Sequence, residues 1–122
     1  MPYYTIGHAL RLRNGTYAVR SAEYPPCEGR DAELWPAREQ FRQALTELVR
    51  EMIQNGEVPA LYLSLEEAEA SIGEHCRTQI AEPDRLPNTF DYAMIVELSL
   101  PAADAERFGA IRVGKLLPET RF

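Results

Sequence analysis

The sequence has few of the residues that bind metal ions or act as soft nucleophiles. Its only thiols and imidazoles are Cys27, Cys76, His8 and His75. A structural zinc site usually combines two pairs of such ligands with short spacers. His75 and Cys76 are adjacent, so on a helix their side chains would diverge by about 100°, and His8 and Cys27 stand apart from them. We therefore expect no metal site, and we interpret His8 as a core histidine that hydrogen-bonds Ser21.

The sequence also lacks the motifs that are typical of enzymes. There is no glycine-rich phosphate-binding loop, no Cys–His pair at a usable spacing and no convergent group of acids. We therefore expect no catalytic residues, no cofactor and no enzymatic activity.

No apolar run approaches the roughly 20 residues that a membrane span needs, and the N-terminus lacks the features of a signal peptide. Two thiols in a chain large enough to bury its own core favour a reduced, cytoplasmic protein.

The charge balance is acidic. Nineteen Asp and Glu against thirteen Lys and Arg give a formal net charge of −6. Broad contact with a phosphate backbone relies on Lys and Arg, so this balance argues against nucleic acid as the main partner. It favours a basic protein partner.

The clearest local pattern is a β-hairpin. Asn14-Gly15 separates two alternating runs, residues 3–13 and 16–24, and is a strong hairpin signal. A two-residue turn would pair Arg13 with Thr16 and place Leu10 opposite Val19. Because strand side chains alternate, one face is then a core face made of Tyr4, Ile6, His8, Leu10, Leu12, Tyr17 and Val19. The opposite face is small and basic, with Gly7, Ala9, Arg11, Arg13, Ala18, Arg20 and Ala22.

The remaining elements predict an α+β fold. Residues 27–30 favour a short edge strand, residues 34–55 a long amphipathic helix, and Ser64 begins a shorter helix with a capping box. Residues 92–100 read as a strand inside the sheet, since both of its faces are partly apolar, and residues 111–113 as a short strand. The prediction is a three-to-four-stranded sheet with one long helix packed on the core face of the hairpin.

The small, basic face of this sheet is the predicted partner-binding surface. We expect it to include Ala9, Arg11, Arg13, Arg20 and Ile95, since solvent-facing strand positions are usually polar and an excess of small residues allows close approach. Two explanations remain open. The surface is covered by the chain's own residues 101–122, or it contacts a second copy or another protein.

Three short motifs resemble the HicB-like antitoxin family over about residues 3–100. The run from Ala22 to Cys27 is similar to the family's Pro-Asp-Leu-Pro-Gly-Cys, with Glu23 in place of the acid and Pro26 in place of the glycine. The spacing from Cys27 to Ala44-Leu45 fits the family without a gap. Gly56-Glu57-Val58-Pro59 is similar to its Gly-Glu-x-Ile-Pro closure, and residues 92–100 to its last strand.

The resemblance implies a β-β-β-α-β sheet like that of a double-stranded-RNA-binding domain or a reduced ribonuclease H core. It also implies a partner, a small basic HicA-like toxin that cleaves mRNA. Many members carry a C-terminal DNA-binding segment, and residues 111–119 resemble the start of a ribbon-helix-helix. Only three residues follow, so we divide the chain into a domain at 1–100 and a tail at 101–122, and we expect no DNA binding.

Two functions from different classes follow. The first is an antitoxin-type binding module that neutralises a basic ribonuclease toxin by protein–protein contact. The alternative is an orphan oligomeric or structural domain with the same fold and no toxin partner. In either case we expect a homo-oligomer.

Overall fold

A computed structural model describes residues 2–77 and 79–116 of the chain, with the side chains of 114–116 left out. It confirms the α+β class. The strands are β1 (Pro2–Arg11), β2 (Tyr17–Arg20), β3 (Glu28–Asp31) and β4 (Tyr92–Ser99). They form one antiparallel sheet in the order β3-β2-β1-β4. The helices are α1 (Leu34–Gln54), α2 (Leu65–His75) and α3 (Ala102–Leu116). Within the described residues, no helix is both long and apolar enough to cross a membrane.

The hairpin turn has three residues, so the predicted register is wrong by one position. The Leu12 amide donates to the Thr16 carbonyl, and the Gly15 amide donates to the Leu12 carbonyl. Gly15 has a φ of +86°, the left-handed conformation typical of a three-residue hairpin loop with a bulge. As a result Leu10 pairs with Ala18, and Ala9 with Val19. Because strand faces alternate, this shift exchanges the two faces of β2 relative to β1.

The long helix α1 packs on the small-residue face, not on the face that we predicted. Its buried row is Ala37, Phe41, Leu45, Val49 and Ile53, which joins a core cluster with Tyr3, Ala9, Val19, Val96 and Leu98. A Cβ added to Gly7 would lie 3.3 Å from Cε2 of Phe41. The absence of a side chain at Gly7 and the small side chain of Ala9 therefore make room for the helix. The alternation of side chains assigns residues to the two faces of a strand, but it does not show which helix packs on which face.

The opposite face of the sheet is also covered. Ile6, His8, Leu10 and Leu12 are all buried there, and α2 contacts both β1 and β4. The predicted N-cap of α2 is confirmed, because Ser64 Oγ accepts from the Glu67 amide at 3.2 Å, whereas the Glu67 carboxylate accepts from the Leu63 amide and not from the Ser64 amide of a capping box. Ile80, in the segment that follows α2, packs against a second cluster of buried residues, Leu10, Leu12 and Ala18.

Strand β4 lies at an edge of the sheet, so its predicted place in the interior is wrong. Its two faces are both partly apolar because helices cover both sides of the sheet: β4 contacts α1 on one side and α2 on the other. An edge strand with helices on both of its faces therefore has the same apolar pattern as a central strand.

The segment Ala102–Leu116 forms helix α3, which packs on the core, so the short strand predicted at 111–113 is wrong. Phe108 of α3 is buried and makes an edge-to-face contact with Tyr3, with ring centroids 5.1 Å apart. Asp104 pairs with Arg50 at 2.7 Å, and Arg107 Nε donates to the Ile53 carbonyl at the end of α1. Residues 117–119 of the predicted ribbon-helix-helix start lie outside the described residues.

Candidate functional site: a buried histidine pair and an acidic helix

The predicted partner-binding residues do not form one surface. Ala9 is only 4% exposed and lies beneath α1. Arg11 shares that face of β1, whereas Arg20 pairs with His8 and Ile95 with Ile6, which places both on the opposite face. Arg13 belongs to the hairpin turn. The single flat patch predicted from the alternation is therefore wrong, because the shifted hairpin register moves Arg20 and the pairing of β4 with β1 places Ile95 beside Ile6.

Acidic side chains neutralise much of the basic charge on β2 and β3. Arg20 Nη1 donates to Glu82 Oε1 at 2.8 Å, and Arg30 Nη2 lies 3.3 Å from the same oxygen. Glu28 pairs with both arginines. Arg11 is exposed and donates to the Tyr17 hydroxyl at 3.1 Å. That any of these arginines contacts a partner stays a prediction.

The two histidines of the chain, which the sequence interpretation kept apart, meet under α2. His8 Nε2 lies 3.1 Å from His75 Nδ1, so one hydrogen bond joins the rings. His8 comes from the centre of β1 and has no exposed surface. His75 is the last residue of α2 and is half-buried. The two histidines are 67 positions apart, which conceals this contact in the sequence.

A carboxylate and a guanidinium complete the arrangement. Asp91, immediately before β4, places Oδ2 3.5 Å from His8 Nδ1, and its side chain is 2% exposed. The same oxygen accepts from the Ile80 amide at 2.8 Å. Arg85 pairs with the other carboxylate oxygen. We call His8, His75, Arg85 and Asp91 the histidine cluster.

Burial dominates the electrostatics of this cluster. Loss of hydration lowers the pKa of His8, because the charged imidazolium is the form that water stabilises more. The Asp91 carboxylate opposes this shift in pKa, and the neighbouring His75 adds to it. At 3.5 Å the carboxylate contact is longer than a usual N–H···O hydrogen bond, so Asp91 acts on His8 mainly through its charge.

The predicted partner of His8 is also wrong. Ser21 Oγ accepts instead from the amides of Glu23 and Tyr24, at 3.1 and 3.2 Å. These bonds hold the turn that leads out of β2. A signal for the actual arrangement was present: a histidine within the apolar row Ile6, His8, Leu10 needs a polar partner once buried.

The cluster is suited to binding protons and is poorly placed for chemistry on a substrate. His8 and Asp91 are shielded from solvent, and the described residues contain no group of three or more side chains that could hold a metal ion. Cys76 is an exposed free thiol next to His75. Cys27 is a buried free thiol whose pKa is raised by burial, which keeps it in the unreactive thiol form.

The exposed side of α2 is acidic with apolar residues beside it. Leu65, Glu66 and Glu69 lie on adjacent positions of the exposed helix surface, and Leu63 precedes the helix. Leu65 is 46% exposed, a large fraction for a leucine. We call Leu63, Leu65, Glu66 and Glu69 the acidic α2 surface.

Comparisons of the chain with known protein families, with curated proteins and with solved structures give no match.

Proposed function

We propose that this protein is an antitoxin-type binding module, similar to HicB-like antitoxins, that neutralises a small basic mRNA-cleaving toxin by covering it. The observation that carries the proposal is the acidic α2 surface, where carboxylates and exposed leucines lie side by side. Apolar contact area gives affinity to such an interface, and complementary charge gives it selectivity and a fast encounter.

The position of α2 favours this role. Ala68, on its inner side, is fully buried, and the helix rests on β1 and β4. Two hydrogen bonds fix its first turn: Ser64 Oγ accepts from the Glu67 amide, and the Glu67 carboxylate accepts from the Leu63 amide at 3.0 Å. A surface presented by a rigid element loses little conformational freedom on binding. The net charge of −6 attracts a basic partner over the whole molecule.

The order of elements also supports the proposal. The three motifs of the resemblance lie at the β2–β3 connection, at the end of α1 and on β4, in the order β-β-β-α-β that the resemblance implies. The structure inserts α2 between α1 and β4. Binding is favoured over catalysis because the polar residues that do converge, in the histidine cluster, are buried.

A second candidate function is an oligomeric domain without a toxin. The observation that favours it is strand β4, an eight-residue edge strand with no proline and one charged residue, Glu97. Long apolar edge strands tend to pair with another chain. A homo-oligomer in solution, together with no basic partner, would favour this candidate.

Growth rescue tests the proposed function. A short reading frame beside this gene, encoding a basic chain of under about 100 residues, is expected to arrest growth when expressed alone. Co-expression of this protein should restore growth. The double variant Glu66→Lys/Glu69→Lys should lose most of the rescue, because it reverses the charge of the acidic α2 surface.

The matched control is Glu47→Lys/Glu51→Lys on the exposed side of α1. Each substitution replaces a negative charge with a positive one, so both double variants change the formal net charge from −6 to −2. Rescue should persist in the control. Equal rescue by both variants would move the interface away from α2, and arrest that the wild-type protein does not relieve would contradict the antitoxin function.

A further inference from the structure

The histidine cluster connects the elements that cover one face of the sheet. His8 belongs to β1, His75 ends α2, and Arg85 and Asp91 lie in the segment between α2 and β4. Beneath these elements lies the buried apolar row Ile6, Leu10 and Leu12. A change in the charge of the cluster should therefore change how strongly α2 is held on the sheet.

The geometry allows one proton on the histidine pair and opposes a second. Only one hydrogen fits between two ring nitrogens 3.1 Å apart. A singly protonated pair keeps that bond, and the Asp91 carboxylate balances its charge. With two protons on the pair, both facing nitrogens carry hydrogen, the bond is lost, and two cations are in contact although one of them, His8, has no exposed surface.

Further groups around His8 oppose a second positive charge. Arg20 is its cross-strand neighbour on β2 and is itself paired with Glu82 and Glu28. Arg85, from the segment after α2, is paired with Asp91 and reduces the negative charge available to His8. The position opposite His8 on β4 is Ala93, which carries no charge.

We propose that the histidine cluster is a proton-operated clasp: binding of a second proton to the His8–His75 pair releases α2 from the sheet and exposes the apolar residues beneath that helix. The proton comes from solvent and no covalent bond changes. The clasp is a property of this chain alone, so it is independent of the proposed partner.

The direction of the pH dependence follows from the histidines. Burial holds the pKa of His8 in the closed protein below its ordinary value of 6.5, which it regains when the clasp opens. The open form therefore binds more protons below about pH 6.5. Above about pH 6.5 the closed form keeps its full stability relative to the open form. Below it, the ratio of open to closed protein rises about tenfold per pH unit for each proton taken up, until the pKa of the closed form is reached.

Hydrogen exchange of the wild-type protein at pH 7.0 and 5.0, corrected for intrinsic rates, tests the clasp. Both histidines of the chain are in the cluster, and ordinary carboxylates titrate near pH 4, so this window reports mainly on the pair. Protection of the α2 amides should fall about tenfold or more at pH 5.0, while α1 keeps its protection. Unchanged protection of α2, or an equal loss in both helices, would overturn the proposal.

The variant His75→Gln separates the clasp from general acid sensitivity. A glutamine at this half-buried position can still hydrogen-bond His8 and cannot take up a proton. Its α2 helix should be protected at pH 7.0 as in the wild type and should lose little of that protection at pH 5.0. A fall in protection as steep as in the wild type would contradict the role of the histidine pair. The wild-type result decides the proposal even if the variant is less stable.

Discussion

Replacing Phe41 with alanine is expected to remove about 3–5 kcal/mol of unfolding free energy, the range for truncating a buried aromatic residue. Phe41 has no exposed surface and lies in the middle of the buried row of α1. Its ring faces Gly7 closely, since a Cβ added to that glycine would lie 3.3 Å from Cε2 of Phe41. Truncation would leave a cavity at that point, because neither a strand nor a long helix can collapse locally to fill it.

Urea denaturation provides the measurement, and Phe90→Ala provides a matched control. Phe90 is 82% exposed, so the same chemical truncation there should change the stability by less than about 0.5 kcal/mol. A loss below about 1 kcal/mol for Phe41→Ala, typical of an arbitrary point substitution, would place Phe41 outside the core.

The second large effect is expected from the addition of one methyl group at Gly29. A Cβ there would lie 1.9 Å from the carbonyl oxygen of Ala37 and 2.7 Å from the amide nitrogen of Phe41. Both are backbone atoms of α1, which a rotamer change cannot move. Gly29→Ala therefore has to push the helix away from β3, and we expect a loss of about 3 kcal/mol, the upper end of the usual range for overpacking.

Gly73→Ala is the control for this substitution. Gly73 lies within α2, and a Cβ added there would meet no atom within 4 Å. Alanine favours a helix over glycine by about 0.5–1 kcal/mol, so this variant should be slightly more stable than the wild type. Similar stabilities for the two variants would show that β3 and α1 are not in close contact.

Local signals in the sequence predicted most of the secondary structure. The apolar spacing of α1 gave both of its ends to within one residue, since the structure has Leu34–Gln54 where we predicted 34–55. The Ser64 capping box gave the start of α2. These features depend on neighbouring residues, which the sequence shows directly.

The assignment of faces depended on a single turn and was wrong. Asn14-Gly15 occurs in two-residue turns, but here Arg13 joins them and Gly15 takes the left-handed position. One extra residue in the turn moved Val19 from the partner of Leu10 to the partner of Ala9. The predicted binding surface followed that error, because it combined residues from both faces of the sheet.

The histidine cluster could not have been predicted from spacing. His8 and His75 are separated by most of the chain, and Asp91 reaches them only because β4 pairs with β1. Such contacts depend on the strand order and on which helix covers which face. The acidic α2 surface was easier to anticipate, since Glu66 and Glu69 are three residues apart on a helix whose start was correctly predicted.

Direct titration of this protein with the purified basic product of the neighbouring reading frame tests the proposed function most directly. At physiological salt we expect saturable binding with a Kd below about 1 µM, weakened by added salt because the acidic α2 surface contributes through charge. Glu66→Lys/Glu69→Lys should raise the Kd at least tenfold, about 1.4 kcal/mol, and Glu47→Lys/Glu51→Lys should leave it near the wild-type value. No binding by the folded wild-type protein at concentrations of tens of micromolar would contradict the account.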